Sequence, residues 1–237
     1  MQRLTTILKY GYWVIAALLF AGGVVLVFAW TPTEATMGPV QKIFYLHLPA
    51  AINTFLALMV CFIASVGYLW KRQQQFDDLA LAGAKVGVLL CSIVLLTGML
   101  WSRSAWGTWW TWSPRLTFSL VLWLLYTVYL VIRPSIEGQQ RRAMISAVYG
   151  IVAFVDVPLV YLSVKLMPDI HPTSIALAPA MQWTLGYWFL PITMINIGLL
   201  AVAYRLHRRE ALLARPRTAI AVRRSTFHRP AATGGAA

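Results

Sequence analysis

Six stretches of this chain are apolar for about the length a helix needs to cross a lipid bilayer, and that restricts the folds open to it. A hydrocarbon layer roughly 30 Å thick takes about 20 helical residues. The stretches cover residues 12–30, 50–70, 79–101, 116–132, 143–165 and 187–205. They are continuously apolar, whereas membrane-barrel strands are shorter and alternate, so helices are expected. Only 11% of the 237 residues are charged, against roughly 25% in an average soluble domain. The expected fold is all-α, a polytopic integral membrane protein of about six transmembrane helices. Arg3 and Lys9 ahead of the first stretch suit a signal peptide, but that stretch is long and no small-x-small site follows it, so it is read as a helix.

Basic residues set the expected orientation, because loops rich in Lys and Arg stay cytoplasmic. With six spans, fifteen of the twenty fall on one side, eight of them in the tail from Arg205 to Arg229. Lys42, Arg103, Arg115 and Lys165 fall on the other, and Lys85 lies within the third stretch. Both termini are therefore expected in the cytoplasm, with loops 31–49, 102–115 and 166–186 facing outward. Residues 1–205 form the expected membrane domain. Residues 206–237, rich in Arg, Ala and Pro, are expected to form a disordered cytoplasmic tail. Beside a membrane, such a tail suits anionic lipid headgroups, and nucleic acid is not an expected partner.

An ionisable group at the centre of a span costs about 2.5–3.5 kcal/mol on insertion scales, so Lys85 and Asp156 require a reason. Lys85 stands near enough to the cytoplasmic end to snorkel. Asp156 precedes Pro158, which lacks a backbone donor and leaves a carbonyl one turn earlier without its usual partner; a polar pocket is expected there, either as a kink or as a link in a polar path coupled to Lys85. Cys61 and Cys91 fall mid-span and read as small packing residues. No C-x-x-C-H motif is present.

The outward loops hold the unusual residues. Five tryptophans, Trp101, Trp106, Trp109, Trp110 and Trp112, fall within twelve positions. On a helix, Trp106, Trp109, Trp110 and Ser113 would share one face as an aromatic platform. Gly107 admits a bulky flat group to the backbone, and Pro114 makes Ser113 the end of any helix there. Arg115 follows and can hold a carboxylate by two bonds. An aromatic surface with a cation at its rim suits a flat, amphipathic, carboxylate-bearing ligand, and a porphyrin answers better than a sugar or nucleotide. His47 and His171 occupy outward loops on either side of this segment, while His207 and His228 lie in the tail. Histidine is a common axial ligand of haem iron, and one from each loop suits opposite faces of the macrocycle. A bare zinc or iron site is less well supported, for want of a nearby cluster of Cys, Asp or Glu.

Three segments carry a resemblance to haem-handling membrane proteins, most closely to the haem exporter protein C family of the cytochrome c maturation system. They are Trp-Gly-Thr-Trp-Trp-Thr-Trp-Ser-Pro-Arg-Leu-Thr at 106–117, Lys-Ile-Phe-Tyr-Leu-His-Leu-Pro-Ala-Ala at 42–51, and Val-Pro-Leu-Val-Tyr-Leu-Ser-Val at 157–164. The resemblance implies non-covalent haem b at the outer face of a bacterial inner membrane, with His47 and His171 as axial ligands. Trp106, Gly107, Trp109, Trp110, Trp112 and Arg115 would form the platform. It implies transfer of haem to a membrane-anchored periplasmic haem chaperone, beside an ABC transporter whose ATPase and membrane subunits are separate chains, with a small membrane adaptor subunit. This chain has no Walker motif. Presentation and transfer are expected in place of catalysis, with lyase-like help at the chaperone as an extension. The family's loop usually has Asp where this chain has Ser113, so no carboxylate acts from that position. Many relatives also carry a tryptophan pair ahead of the second histidine that is missing here. Two rivals stand beside this function: a transporter of haem or another solute, and a scaffold subunit that binds no haem.

Overall fold

The computed structural model describes residues 2–167, 171 and 177–227, with side chains over 9–163, 165–167, 171 and 177–210. His228 lies outside the described residues. The elements are α1 (Gln2–Val25), continued by a π turn (Leu26–Trp30), a 3-10 turn (Pro39–Ile43), α2 (Phe44–Lys71), α3 (Gln74–Trp106), α4 (Pro114–Ile132), a second 3-10 turn (Arg133–Ser135), α5 (Gln139–Ala153), α6 (Asp156–Leu166) and α7 (Pro179–Phe227). Among the described residues, six spans are long and apolar enough to cross a membrane: Lys9–Trp30, Pro39–Lys71, Gln74–Trp106, Pro114–Ser135, Gln139–Ser163 and Pro179–Glu210. The chain is an all-α polytopic membrane protein, as its apolar stretches predict.

The centre of the bundle is the antiparallel pair α2 and α3. Their contact face is made of small residues, which is how helices approach closely where lipid gives no hydrophobic drive. A Cβ added at Gly83 would stand 2.7 Å from the Ala57 carbonyl oxygen, and Ala57, Cys61, Ala80 and Ala84 are all buried. Outside this pair, α7 packs against α2 and α3 and carries α1 on its far side. Asn53 and Asn196 join α2 to α7 at 2.9 Å, and Phe20 of α1 meets Trp188 of α7 edge-on.

The fifth span breaks where its sequence says it should. Pro158 has no N–H for the Phe154 carbonyl, and that carbonyl instead accepts from Val157 at 3.1 Å, a tight turn that separates α5 from α6. The break redirects the chain: α5 packs on α2, whereas α6 leaves α2 and packs on α4. A space remains between α2, α3, α4 and α6. Asp156 at the break is 6% exposed, and its Oδ2 has no hydrogen bond among the described residues. The expected polar path does not extend to Lys85, whose side chain is exposed; no ion pair joins the two among the described residues.

At the end of the bundle away from that space, Arg133 after α4 donates from Nη2 to the Asp77 carboxylate at the start of α3. Gln74 Nε2 also donates to Asp77, at 2.8 Å, and to Asp78, at 3.1 Å. Asp77 is 3% exposed and Arg133 8%.

Candidate haem site

The tryptophan segment is two helix ends and a loop, and the shared helical face expected for Trp106, Trp109, Trp110 and Ser113 does not form. Trp106 is the last residue of α3. Gly107 takes a left-handed conformation, φ 77°, and its N–H bonds the Arg103 carbonyl at 3.1 Å, closing the helix. Pro114 occupies the first position of α4 and holds Ser113 extended at φ −66°, ψ 154°. Residues 108–113 cross between these ends, tied back by Ser102 Oγ donating to the Thr108 carbonyl at 2.8 Å. A left-handed conformation costs an L-residue roughly 1–2 kcal/mol. Gly107→Ala is therefore expected to lower the unfolding temperature in detergent by about 2–8 °C; an unchanged melt would show that the loop re-forms without strain.

Because the loop is extended, its tryptophans part company. Trp106 and Trp110 are half-buried and line a cavity, whereas Trp109 and Trp112 are 57% and 75% exposed and do not. Gly107 also lies off the cavity and acts as the cap of α3. The cavity occupies the space between α2, α3, α4 and α6, has a volume of about 300 Å³ and is mainly apolar. That is at the lower end of the range for small-molecule sites.

Five expected site residues meet at this cavity: His47, Trp106, Trp110, Arg115 and His171. His47 is not in a loop. The second helix starts at Phe44, several residues earlier than the apolar stretch suggested, so His47 stands in its first turn with Pro49 inside the helix. Its Nδ1 is 2.8 Å from Thr97 Oγ1 of α3. A Cβ built at Gly98 would come within 3.4 Å of His47 Cε1, so the absence of a side chain there leaves the ring uncrowded. Arg115, in the first turn of α4, donates from Nη1 to His171 Nδ1 at 3.4 Å and from Nη2 to the Tyr161 carbonyl at 3.5 Å. Residues 168–170 and 172–176 beside His171 lie outside the described residues.

Trp101, Thr97 and Tyr161 were not among the expected site residues. Trp101 meets Trp106 edge-on at 4.9 Å and His171 at 6.3 Å between ring centroids, tilted by 45°. Thr97 and Trp101 are one helical turn apart, and a hydroxyl in an apolar run one turn from a tryptophan was the available signal. Tyr161 lines the cavity from α6, and Lys165 Nζ donates to its hydroxyl at 3.2 Å.

The donor set suits haem better than a bare ion. Protein zinc sites take three or four ligands, and among the described residues no group of three or more His, Cys, Asp or Glu is placed to hold a metal. Haem fills four positions of its own iron and leaves two for imidazole. Two histidines, a guanidinium and tryptophans on an apolar cavity therefore fit that group.

The fold and the cavity define a class, the polytopic α-helical membrane proteins with a histidine- and tryptophan-lined pocket at one end of the bundle. Residues 1–227 match the family model described as Heme exporter protein C. The chain belongs to that family. It is similar to Heme exporter protein C of Rhodobacter capsulatus, 33% identical over 217 residues, covering 90% of this chain and 87% of the relative. The protein of that name from Paracoccus denitrificans is 32% identical over 192 residues, 80% of each chain. That of Escherichia coli K12 is 30% identical over 227 residues, covering 86% of this chain and 92% of the relative.

Proposed function

We propose that this chain holds haem b non-covalently at the outer face of a bacterial inner membrane and passes it to a membrane-anchored periplasmic haem chaperone during cytochrome c maturation. The observation that carries the proposal is the meeting of His47, His171, Arg115, Trp106 and Trp110 at one cavity, drawn from separate elements. Family membership supports it. Haem would be held through its iron by His47 and His171. Arg115, which lies beside His171, would take a propionate. Trp101, Trp106 and Trp110 give the macrocycle aromatic contact.

The cavity end carries Lys42, Arg103, Arg115 and Lys165, while Lys9, Lys71, Arg72, Arg133, Arg141, Arg142 and Arg205 gather at the other. That asymmetry favours a cytoplasmic position for both termini and a periplasmic one for the site. An ABC transporter's ATPase and membrane subunits, with a small adaptor, are the proposed neighbours. The basic stretch after Arg205, which continues α7 as far as Phe227, would rest on anionic lipid.

Titration of haem into the haem-free protein in detergent tests the proposal through tryptophan emission. Quenching is expected to saturate at one haem per chain. Quenching that rises without saturation would mean partition into the micelle and would reject the site.

A further inference from the structure

We propose that Thr97 is a positioning residue, one that fixes the His47 imidazole as the Nδ1–H tautomer and so reserves Nε2, with its lone pair, for iron. The inference rests on the haem function proposed above and concerns a residue outside the tryptophan segment. Thr97 Oγ1 lies 2.7 Å from the Ile93 carbonyl oxygen, 3.1 Å from that of Val94 and 2.8 Å from His47 Nδ1. Carbonyl oxygens only accept, so the single hydroxyl proton is directed to the backbone of α3. Toward His47 the hydroxyl oxygen can then only accept. The proton between them belongs to Nδ1.

A neutral imidazole carries one proton, so this arrangement leaves Nε2 unprotonated before haem arrives. Partners of this kind on metal-binding histidines fix the tautomer and ring orientation and raise ligand basicity, and their removal typically costs ten- to a hundredfold in metal affinity. The chain Ile93 carbonyl, Thr97 hydroxyl, His47 imidazole runs from α3 to α2, the pair at the centre of the bundle. His171 is placed differently. Arg115 cannot accept, so its contact requires His171 Nδ1 to be the acceptor, which puts the proton of a neutral His171 on Nε2. His47 is thus the ligand made ready in the haem-free protein, and its readiness depends on Thr97.

Two variants test this, Thr97→Val, which keeps the shape and loses the acceptor, and Thr97→Ser, which keeps the acceptor. In the haem-free full chain labelled with 15N-histidine, in detergent, His47 is assigned by its loss in His47→Gln. The native protein and Thr97→Ser are expected to show protonated Nδ1 and bare Nε2; in Thr97→Val the preference is lost. Haem affinity is expected to fall ten- to a hundredfold in Thr97→Val and to return to within about threefold of native in Thr97→Ser. An Nε2-protonated His47 in the native protein, or a Thr97→Val variant that keeps both tautomer and affinity, overturns the proposal. Failure of the haem function itself is seen separately, as a native chain that takes up no haem while its His47 signals still report the tautomer.

Discussion

Arg133→Met is expected to destabilise the protein by about 3–5 kcal/mol, because it leaves the Asp77 carboxylate buried without its cation. Asp77 is 3% exposed and, among the described residues, keeps the Gln74 amide as its remaining side-chain partner. An amide cannot balance a full charge in so dry a place. The double variant Asp77→Leu with Arg133→Met removes both charges and is expected to recover most of the loss, since apolar replacement of a whole buried pair is often neutral or better. Thermal unfolding followed by near-ultraviolet circular dichroism in detergent measures both. A single variant as stable as the native chain would mean that water reaches the pair. The pair joins the start of α3 to the end of α4. These helices return at the opposite end to supply Trp101, Trp106 and Arg115. Weaker haem binding in the single variant than in the double would show that the register set at one end is felt at the other.

Arg115→Gln is expected to weaken haem binding roughly ten- to a hundredfold, the loss of a charge-assisted hydrogen bond worth about 1.5–3 kcal/mol. Glutamine spans part of the same distance but carries no charge. If the guanidinium holds a propionate, the variant should bind haem dimethyl ester about as well as the native protein does, because the ester offers no carboxylate. Arg115→Lys should recover only part of the affinity, since a point charge cannot reproduce a two-bond grip. Competitive titration of both ligands gives the comparison. An equal loss for haem and its ester would assign Arg115 to the placement of His171 alone.

The spans were legible in the sequence because lipid imposes a length and a composition that no other environment requires. The break in the fifth span was legible for a similar reason, since Pro158 removes one donor at one position. The start of α2 was not, because Lys42 to Pro49 mixes polar, aromatic and proline residues, and a proline early in a helix forfeits only one bond. The shared helical face of tryptophans fails for a different reason. Spacing describes a face only if the helix continues, and Gly107 with Pro114 ends one helix and starts the next. Arg115 and both histidines were singled out by their chemistry, and all three line the cavity. Thr97 and the Asp77–Arg133 pair were not, because their meaning lies with partners 50 and 56 residues away in the chain.

The absorption spectrum of detergent-purified protein from haem-replete cells, oxidised and reduced, beside His47→Ala and His171→Ala, tests most directly whether this cavity is a bis-histidine haem site. The native protein is predicted to show a low-spin, six-coordinate spectrum that weakens or shifts in each variant. A well-folded native protein that takes up no haem, or a haem spectrum indifferent to both substitutions, would contradict the account.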